Sequence, residues 1–463
     1  MSDQPEPAPA EPSLLAARRR TPRLMLVALV IVPVVVLSVV VGLELHRTSH
    51  RRGASGQAAA PASPAAAAAT ASAAARLADI RSLLKRRSAA VVHHNEVAFM
   101  STVDPSRDAF RRDQARMFAN LRRVRFASWS YALGSTGADL DARARRRYAA
   151  PTWAPTTFAL HYRIAGFDSH PTELAQFPTF VRRAGRWYLG SLSDFRGRGE
   201  ISATDLWDYG PVHVIRRRSV LVLGPRSELG TMTEAADQMQ AAIPTVTAVW
   251  GRHWSKRVVV LVPSTQHEMA AIDDDHEDLN QIAALTSSEV SQVNGKQAPV
   301  GDRVTLNPRN WPKLGSLGSM IVLTHELTHV ASRAFTTEAT PKWLSEGFAD
   351  YVGFLKAGVP ATIVAAELVT EIRAGKPITA LPGDRAFRGA NKALSVAYEE
   401  GWLACRDIAT RYGQHRLVRF YRAVGASTLM PAAAVSNALH QVLHLSHRQF
   451  VLQWRVYVRE QLA

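Results

Sequence analysis

Two histidines four residues apart with a glutamate between them form the strongest chemical signal in the chain: Thr324-His325-Glu326-Leu327-Thr328-His329-Val330. On a helix, residues i and i+4 share a face, so His325 and His329 can direct both imidazoles at one ion. Glu326 lies on a neighbouring part of that face and can reach a water held by the ion. The flanks suit a helix. Met320, Ile321, Leu323, Leu327 and Val330 are apolar, and no Pro or Gly occurs from Ser319 to Phe335. A second helical segment runs from Pro341 to Tyr351, with Pro341 suited to a first turn. Glu346 stands 17 positions after His329, room for a turn and an antiparallel return, and can supply a third ligand. Two His and one Glu are the donor set of an open catalytic zinc site. Asp350, one helical turn beyond Glu346, can accept the free ring N–H of a liganding histidine and fix its tautomer. For both acids the competing reading is a solvated helix face.

At these residues the chain resembles the gluzincin zinc metallopeptidases, most closely the peptidase-MA-like domains of membrane-anchored bacterial proteins. The resemblance rests on HELTH at 325–329 and WLSEGFADY at 343–351; it extends loosely from about residue 215 to the C-terminus and does not cover residues 1–210. It implies Zn2+ held by His325, His329 and Glu346, with Glu326 as general base. It implies an oxyanion donor on a later helix. Tyr398 in SVAYEEGW, 52 residues after Glu346, is the candidate by position, against a packing role beside Trp402. It also implies a substrate along an edge strand ahead of the motif helix, with Val304 to Leu306 as the candidate. The Gly-x-Met-Glu-Asn segment with which the aminopeptidase branch reads a free amine is absent, so exopeptidase action by that route is not expected. In such a site zinc lowers the pKa of its water to roughly 7 and polarises the scissile carbonyl. Glu326 then carries the proton from that water to the leaving amine. The expected activity is hydrolysis of a peptide or protein substrate. The alternative is a non-catalytic or regulatory envelope module on the same scaffold.

The elements that must position these residues make an α+β chain. Val220 to Leu223 and Val258 to Pro263 read as short buried strands, Ser227 to Trp250 as a helix, and Val304 to Leu306 as a strand. Beyond residue 316 the chain reads as nearly all helical, completing a peptidase-MA-like domain over 212–463. Upstream, 76–208 reads as a small α+β domain. Helices at Arg76 to Val92 and Ser106 to Val124 precede strands at Arg125 to Leu133, Thr157 to Ile164, Phe177 to Arg183 and Trp187 to Leu192. That order resembles the cone-shaped, nuclear-transport-factor-like fold. Residues 46–75 are rich in Ala, Pro and Ser and read as a linker, with some helix possible in the Ala run.

Residues 24–45 begin with 20 residues free of charge, Leu24 to Leu43, the length of a transmembrane helix. Four Arg before it and three after it favour a cytoplasmic, disordered tail at 1–23. The expectation is a single-pass cell-membrane protein with an extracytoplasmic catalytic domain. The motif helix itself carries Thr324, Glu326, Thr328 and Arg333 and is no membrane span.

The 463 residues carry a formal charge of +17 and one cysteine, Cys405, so a disulfide framework and a four-cysteine metal site are both excluded. Residues 1–52 contribute +3 of that charge, leaving +14 on the remainder. The basic runs 85–87, 143–147 and 216–218 lack interleaved aromatics, so nucleic acid is not expected as a partner. A solvated basic face, or an anionic envelope polymer or lipid, is the expectation. The acidic run 273–278 lacks the spacing and glycine of a calcium loop and reads as solvated. His440, His444 and His447 have no acidic ligand near in sequence and read as structural. Cys405 reads as a buried small hydrophobe.

Overall fold

The computed structural model describes residues 38–41, 64–273, 279–293, 296–387 and 392–463. The expected tail, most of the expected span and residues 46–63 of the expected linker lie outside that set. Within the expected span, Ser38–Val41 form strand β1, which pairs in parallel with Thr286 to Glu289. Among the described residues no helix is long and apolar enough to cross a membrane. This corrects the expectation of a single-pass membrane protein: the part of residues 24–45 that is described makes inter-strand backbone pairs, not the intra-segment bonds of a spanning helix.

The Ala-rich tract enters helix directly. Helix α1 runs over Pro64–Val92, so residues 64–75 continue into the helix expected from Arg76, as the high helix propensity of Ala favours. Ile80, Leu83, Leu84 and Val91 bury one face of it. Helices α2 (Glu96–Met100) and α3 (Asp108–Asn120) follow. The strands are β2 (Phe126–Leu133), β3 (Gly137–Ala138), β4 (Thr152–Pro155), β5 (Phe158–Ile164), β6 (Thr172–Ala175), β7 (Thr179–Arg183) and β8 (Arg186–Ser191). Helix α4 (Ala142–Tyr148) lies between β3 and β4, and α5 (Leu206–Tyr209) closes the region. They form two antiparallel sheets, ordered β2-β5-β6 and β3-β4-β7-β8. In β5, Phe158, Leu160, Tyr162 and Ile164 are buried while the residues between them are half-exposed, the period-two pattern that made this strand legible. The short β3, β4 and β6 lack such a run and were not anticipated.

A six-stranded sheet carries the second region, in the order β1-β12-β13-β11-β10-β9. Its strands are β9 (His213–Arg216), β10 (Val220–Gly224), β11 (Val258–Leu261), β12 (Ala284–Val293) and β13 (Lys296–Leu306). β10, β11 and β13 are mutually parallel, and β12 and β13 form an antiparallel hairpin. Helix α6 (Leu229–Trp250) links β10 to β11, and α7 (Gln266–Asp273) follows β11. Every residue of β10 and β11 is buried. Val220, Val222, Val258 and Val260 face the core shared with the helices that follow. Leu221, Leu223, Val259 and Leu261 face the first region, against Phe126, Trp129, Tyr162 and Trp207. A sheet covered on both faces has no polar face to alternate with, hence the unbroken apolar runs. Each fully buried Leu or Val contributes about 1.5–3 kcal/mol, so the two regions are joined by a real core. A buried ion pair adds to it: Arg303 on β13 donates to both oxygens of Asp168, at 2.8 and 2.9 Å.

Two expectations about strands are corrected. Val304 to Leu306 are the end of an eleven-residue strand whose polar composition hid it. They are also internal, flanked by β11 and β12, so they present no free edge to a peptide. The remaining helices are α8 (Ser316–Ser332), α9 (Lys342–Phe354), α10 (Ala361–Val364), α11 (Ala366–Arg373), α12 (Lys392–Tyr412), α13 (Gln414–Gly425), α14 (Pro431–Ala438) and α15 (His447–Leu462). Helix α9 is held between α8 and α12. A Cβ on Gly347 would stand 2.2 Å from the carbonyl oxygen of Gly401 on α12, and one on Gly353 would stand 3.1 Å from that of Ile321 on α8. Only residues without a side chain allow helix backbones so close, and Gly347 adjoins Glu346.

Candidate metal centre

The motif helix forms as its sequence demands. From Ile321 to Ser332 every residue of α8 is buried. Its threonines fit there because Thr324 and Thr328 donate their hydroxyls to the carbonyls four residues back, each at 2.7 Å. Helix α9 begins one residue after Pro341 and returns antiparallel, bringing Glu346 to His329 and Asp350 to His325. Burial is near complete for His325 at 1%, His329 at 2%, and Glu326 and Glu346 at 0% exposure. The solvated-face reading of Glu346 and Asp350 is thereby removed.

The ligand atoms converge. The two imidazole Nε2 atoms stand 2.9 Å apart. Glu346 Oε2 lies 3.5 Å from His325 Nε2 and 3.3 Å from His329 Nε2. The three ligand atoms lie within 4.8 Å of one another, and among the described residues no other such group of His, Cys, Asp or Glu occurs. Asp350 Oδ1 is 2.7 Å from His325 Nδ1. An ionised Asp350 places the ring proton on Nδ1 and leaves the Nε2 lone pair facing the centre. Ser345 Oγ donates to Glu346 Oε1 at 3.2 Å, while the buried Oε2 has no hydrogen-bond donor. Three lone-pair donors around one point, one of them orphaned, fit a tetrahedral cation such as Zn2+ with one position open.

The groups at this centre shift one another's protonation. Burial opposes charge on His325, yet Asp350 and then Glu346 outweigh it and raise its pKa to about 10. Burial pushes His329 down to about 4 against the pull of Glu346. Burial raises Glu346 too, but His329 and His325 overcome it and hold the carboxyl far below its usual range. The two imidazoles and the carboxylate thus bias one another's protonation at the point where a cation would sit, so a proton and a cation compete there. Burial lifts Glu326 to about 7, with His325 and the Thr286 hydroxyl working in the opposite direction.

Tyr398 lies on α12, buried, with its ring 5.2 Å from that of Phe387. Three contributors to the site were invisible in the sequence. Thr286 on β12 hydrogen-bonds Glu326 from forty residues upstream, and Arg333 just beyond α8 bonds Ser288 Oγ and the Thr286 carbonyl on that same strand. No local spacing marks such partners. The weaker constellations stay apart from chemistry. His440, His444 and His447 are exposed, Cys405 is fully buried, and Asp273 accepts from Ser287 Oγ and Thr305 Oγ1. The rest of the acidic run, 274–278, lies outside the described residues.

No family model and no curated protein matches the chain. Solved structures do. One is the yeast LTA4 hydrolase in complex with bestatin, at 14% identity and a TM-score of 0.34, covering 54% of this chain and 39% of that one. A two-domain M1 zinc metallopeptidase bound to L-arginine is 13% identical with a TM-score of 0.32, covering 67% and 61%. The M1 zinc metallopeptidase from Deinococcus radiodurans is 14% identical with a TM-score of 0.30, covering 67% and 61%. The chain thus spans less than two thirds of the length of each.

Proposed function

We propose that the chain is a zinc-dependent peptidase in which His325, His329 and Glu346 hold the metal and Glu326 is the general base. The observation that carries this reading is the convergence of His325 Nε2, His329 Nε2 and the donor-free Glu346 Oε2 beside a buried, singly tethered Glu326. A bound zinc would supply Lewis acidity toward the scissile carbonyl and activate water. The rest is the work of the chain. Asp350 orients His325. Glu326 Oε1, buried without a partner, accepts the proton of the attacking water and returns it to the leaving amine. Tyr398 is the proposed donor to the oxyanion. We also read 76–208 as a small α+β domain of the cone-like type and 212–463 as the peptidase domain, which supports a substrate of peptide or protein character at the second region.

The test is metal analysis with a peptide-hydrolysis assay of the wild type and Glu326→Gln. The expected result is one zinc per chain in both, with hydrolysis lowered about 10²–10⁴-fold in the variant. A variant as active as the wild type, or a wild type without zinc, would overturn the reading.

A further inference from the structure

A glutamate acting as a base must present one oxygen in one direction, and its side chain does not ensure that by itself. The terminal torsion of Glu is broad and roughly two-fold, so an unheld carboxylate offers either oxygen over a wide arc. Glu326 is held. Thr286 Oγ1 on β12 donates to Glu326 Oε2 at 2.5 Å, and both residues are at 0% exposure. The same hydroxyl is 3.3 Å from the main-chain oxygen of Glu326, but it has one proton, which the shorter contact claims. Glu326 Oε1 has no hydrogen-bond partner although it is buried. The two oxygens are therefore unequal: one is tied to the sheet and the other is left for chemistry.

The tether is itself anchored. Thr286 pairs with Val304 across the β12–β13 hairpin. Seven residues after Glu326, Arg333 reaches back to the same strand, donating to Ser288 Oγ at 2.8 Å and to the main-chain oxygen of Thr286 at 3.3 Å. Arg333 also lies 3.3 Å from Asp302 Oδ1 on β13. Residues 286 and 288 share one face of the strand, and 326 and 333 share one side of the helical path, so strand and helix are joined at two points. A β-branched residue is stiff at χ1, so the hydroxyl is delivered to a fixed place.

We propose that Thr286 is a positioning residue that decides which oxygen of Glu326 serves as the base, holding Oε2 so that Oε1 faces the reacting water. This rests on the peptidase reading of the site, with Thr286 acting through Glu326 and not on the substrate.

The test compares wild type, Thr286→Val, Thr286→Ala and Thr286→Ser in the full zinc-loaded chain. Val keeps the shape without the donor, Ala is the second donor-free variant should Val pack poorly, and Ser restores the hydroxyl. The first readout is affinity for acetohydroxamate, which chelates zinc and gives its hydroxyl proton to a neighbouring carboxylate. The expected result is affinity weakened about tenfold to a hundredfold in Val and Ala, and within about threefold of wild type in Ser, with one zinc per chain throughout. In peptide hydrolysis kcat falls by a similar factor in Val and Ala while KM stays within about twofold. Equal acetohydroxamate affinity in the wild type and a zinc-loaded donor-free variant overturns the proposal, as does a Ser variant no better than Ala. A wild type that binds zinc and acetohydroxamate but hydrolyses no peptide would overturn the peptidase reading alone, leaving the Thr286 comparison to be decided by affinity.

Discussion

Each region of the molecule buries a cluster of charged and polar groups, and the two clusters are built to opposite ends. In the first region Arg87 is 2% exposed, but its guanidinium is enclosed by acceptors. It donates to Tyr131 Oη and Thr102 Oγ1, each at 3.1 Å, and to Gln114 Oε1, and it lies over the Phe99 ring at 3.8 Å. Tyr131 in turn accepts from Trp129 Nε1 at 2.9 Å. The acceptors are neutral and their direction is fixed by packing, so the cluster closes on itself. In the second region the buried groups leave Glu326 Oε1 and Glu346 Oε2 without donors around a point where three ligand atoms meet. An unpaired buried carboxylate oxygen is expensive. Here it stands where two histidines and a glutamate bring three ligand atoms within 4.8 Å of one another. The contrast teaches that burial of charge alone does not mark a site; what marks it is the convergence of ligand atoms on one point.

The largest expected effect follows from the raised pKa of His325. His325 is raised to about 10 in the folded chain, against an ordinary value of 6.5. Its contribution to the stability of the metal-free protein is complete below about pH 6.5 and is lost as pH rises through about 10. Glu326, raised to about 7 from 4.5, acts in the same sense over a lower window. His329, lowered to about 4, acts oppositely, its contribution being lost as pH falls from about 6.5 through about 4. The metal-free protein should therefore melt at progressively lower temperature as pH rises from about 7 to 10. Zinc competes with the His325 proton, so its apparent affinity should rise about tenfold per pH unit over the same window. Calorimetric titration with zinc across that range checks this; a flat affinity would place the proton elsewhere.

A smaller effect is expected from Asp350→Asn. It retains the shape but removes the charge that holds His325 in its tautomer. Zinc affinity should fall about 10–100-fold, and the fall in metal-free melting temperature between about pH 7 and 10 should flatten, because Asp350 is the main group that raises His325. Unchanged affinity would mean that helix geometry alone orients the imidazole. The smallest functional effect should come from Arg87→Met, which opens the closed cluster and leaves its acceptors unpaired. Denaturant unfolding should show a loss of roughly 1–3 kcal/mol, with zinc affinity as in the wild type. A change in zinc affinity would show that the two clusters communicate through the shared sheet.

The parts of the fold legible in the sequence are those whose pattern is local. The helix around HELTH, the returning helix with Glu346 and Asp350, the buried β10 and β11, and the alternating β5 all announce themselves within about ten residues. The hairpin β12–β13 did not, because its polar residues resemble a loop until the sheet supplies their partners. Arg87 reads as one of three consecutive basic residues facing solvent, yet helical phase turns Lys85 and Arg86 outward and Arg87 into the core. The apolar run at 24–45 reads as a membrane span by composition, while its described residues, Ser38–Val41, pair with a sheet.

By itself the sequence determined the spacing of the candidate donors: His325 and His329 one turn apart, then Glu346 and Asp350 one turn apart on a second helix, because helical periodicity places i and i+4 together whatever the rest of the chain does. Only the tertiary structure decided how those donors are used. The Thr286 hydroxyl comes from forty residues upstream to separate the two oxygens of Glu326. Arg333 fastens the helix to the strand that carries it. Gly347 lets α9 approach α12 closely beside Glu346. These contacts depend on strand register and helix crossing, which are settled by packing between segments distant in sequence and leave no trace in the spacing of residues along the chain.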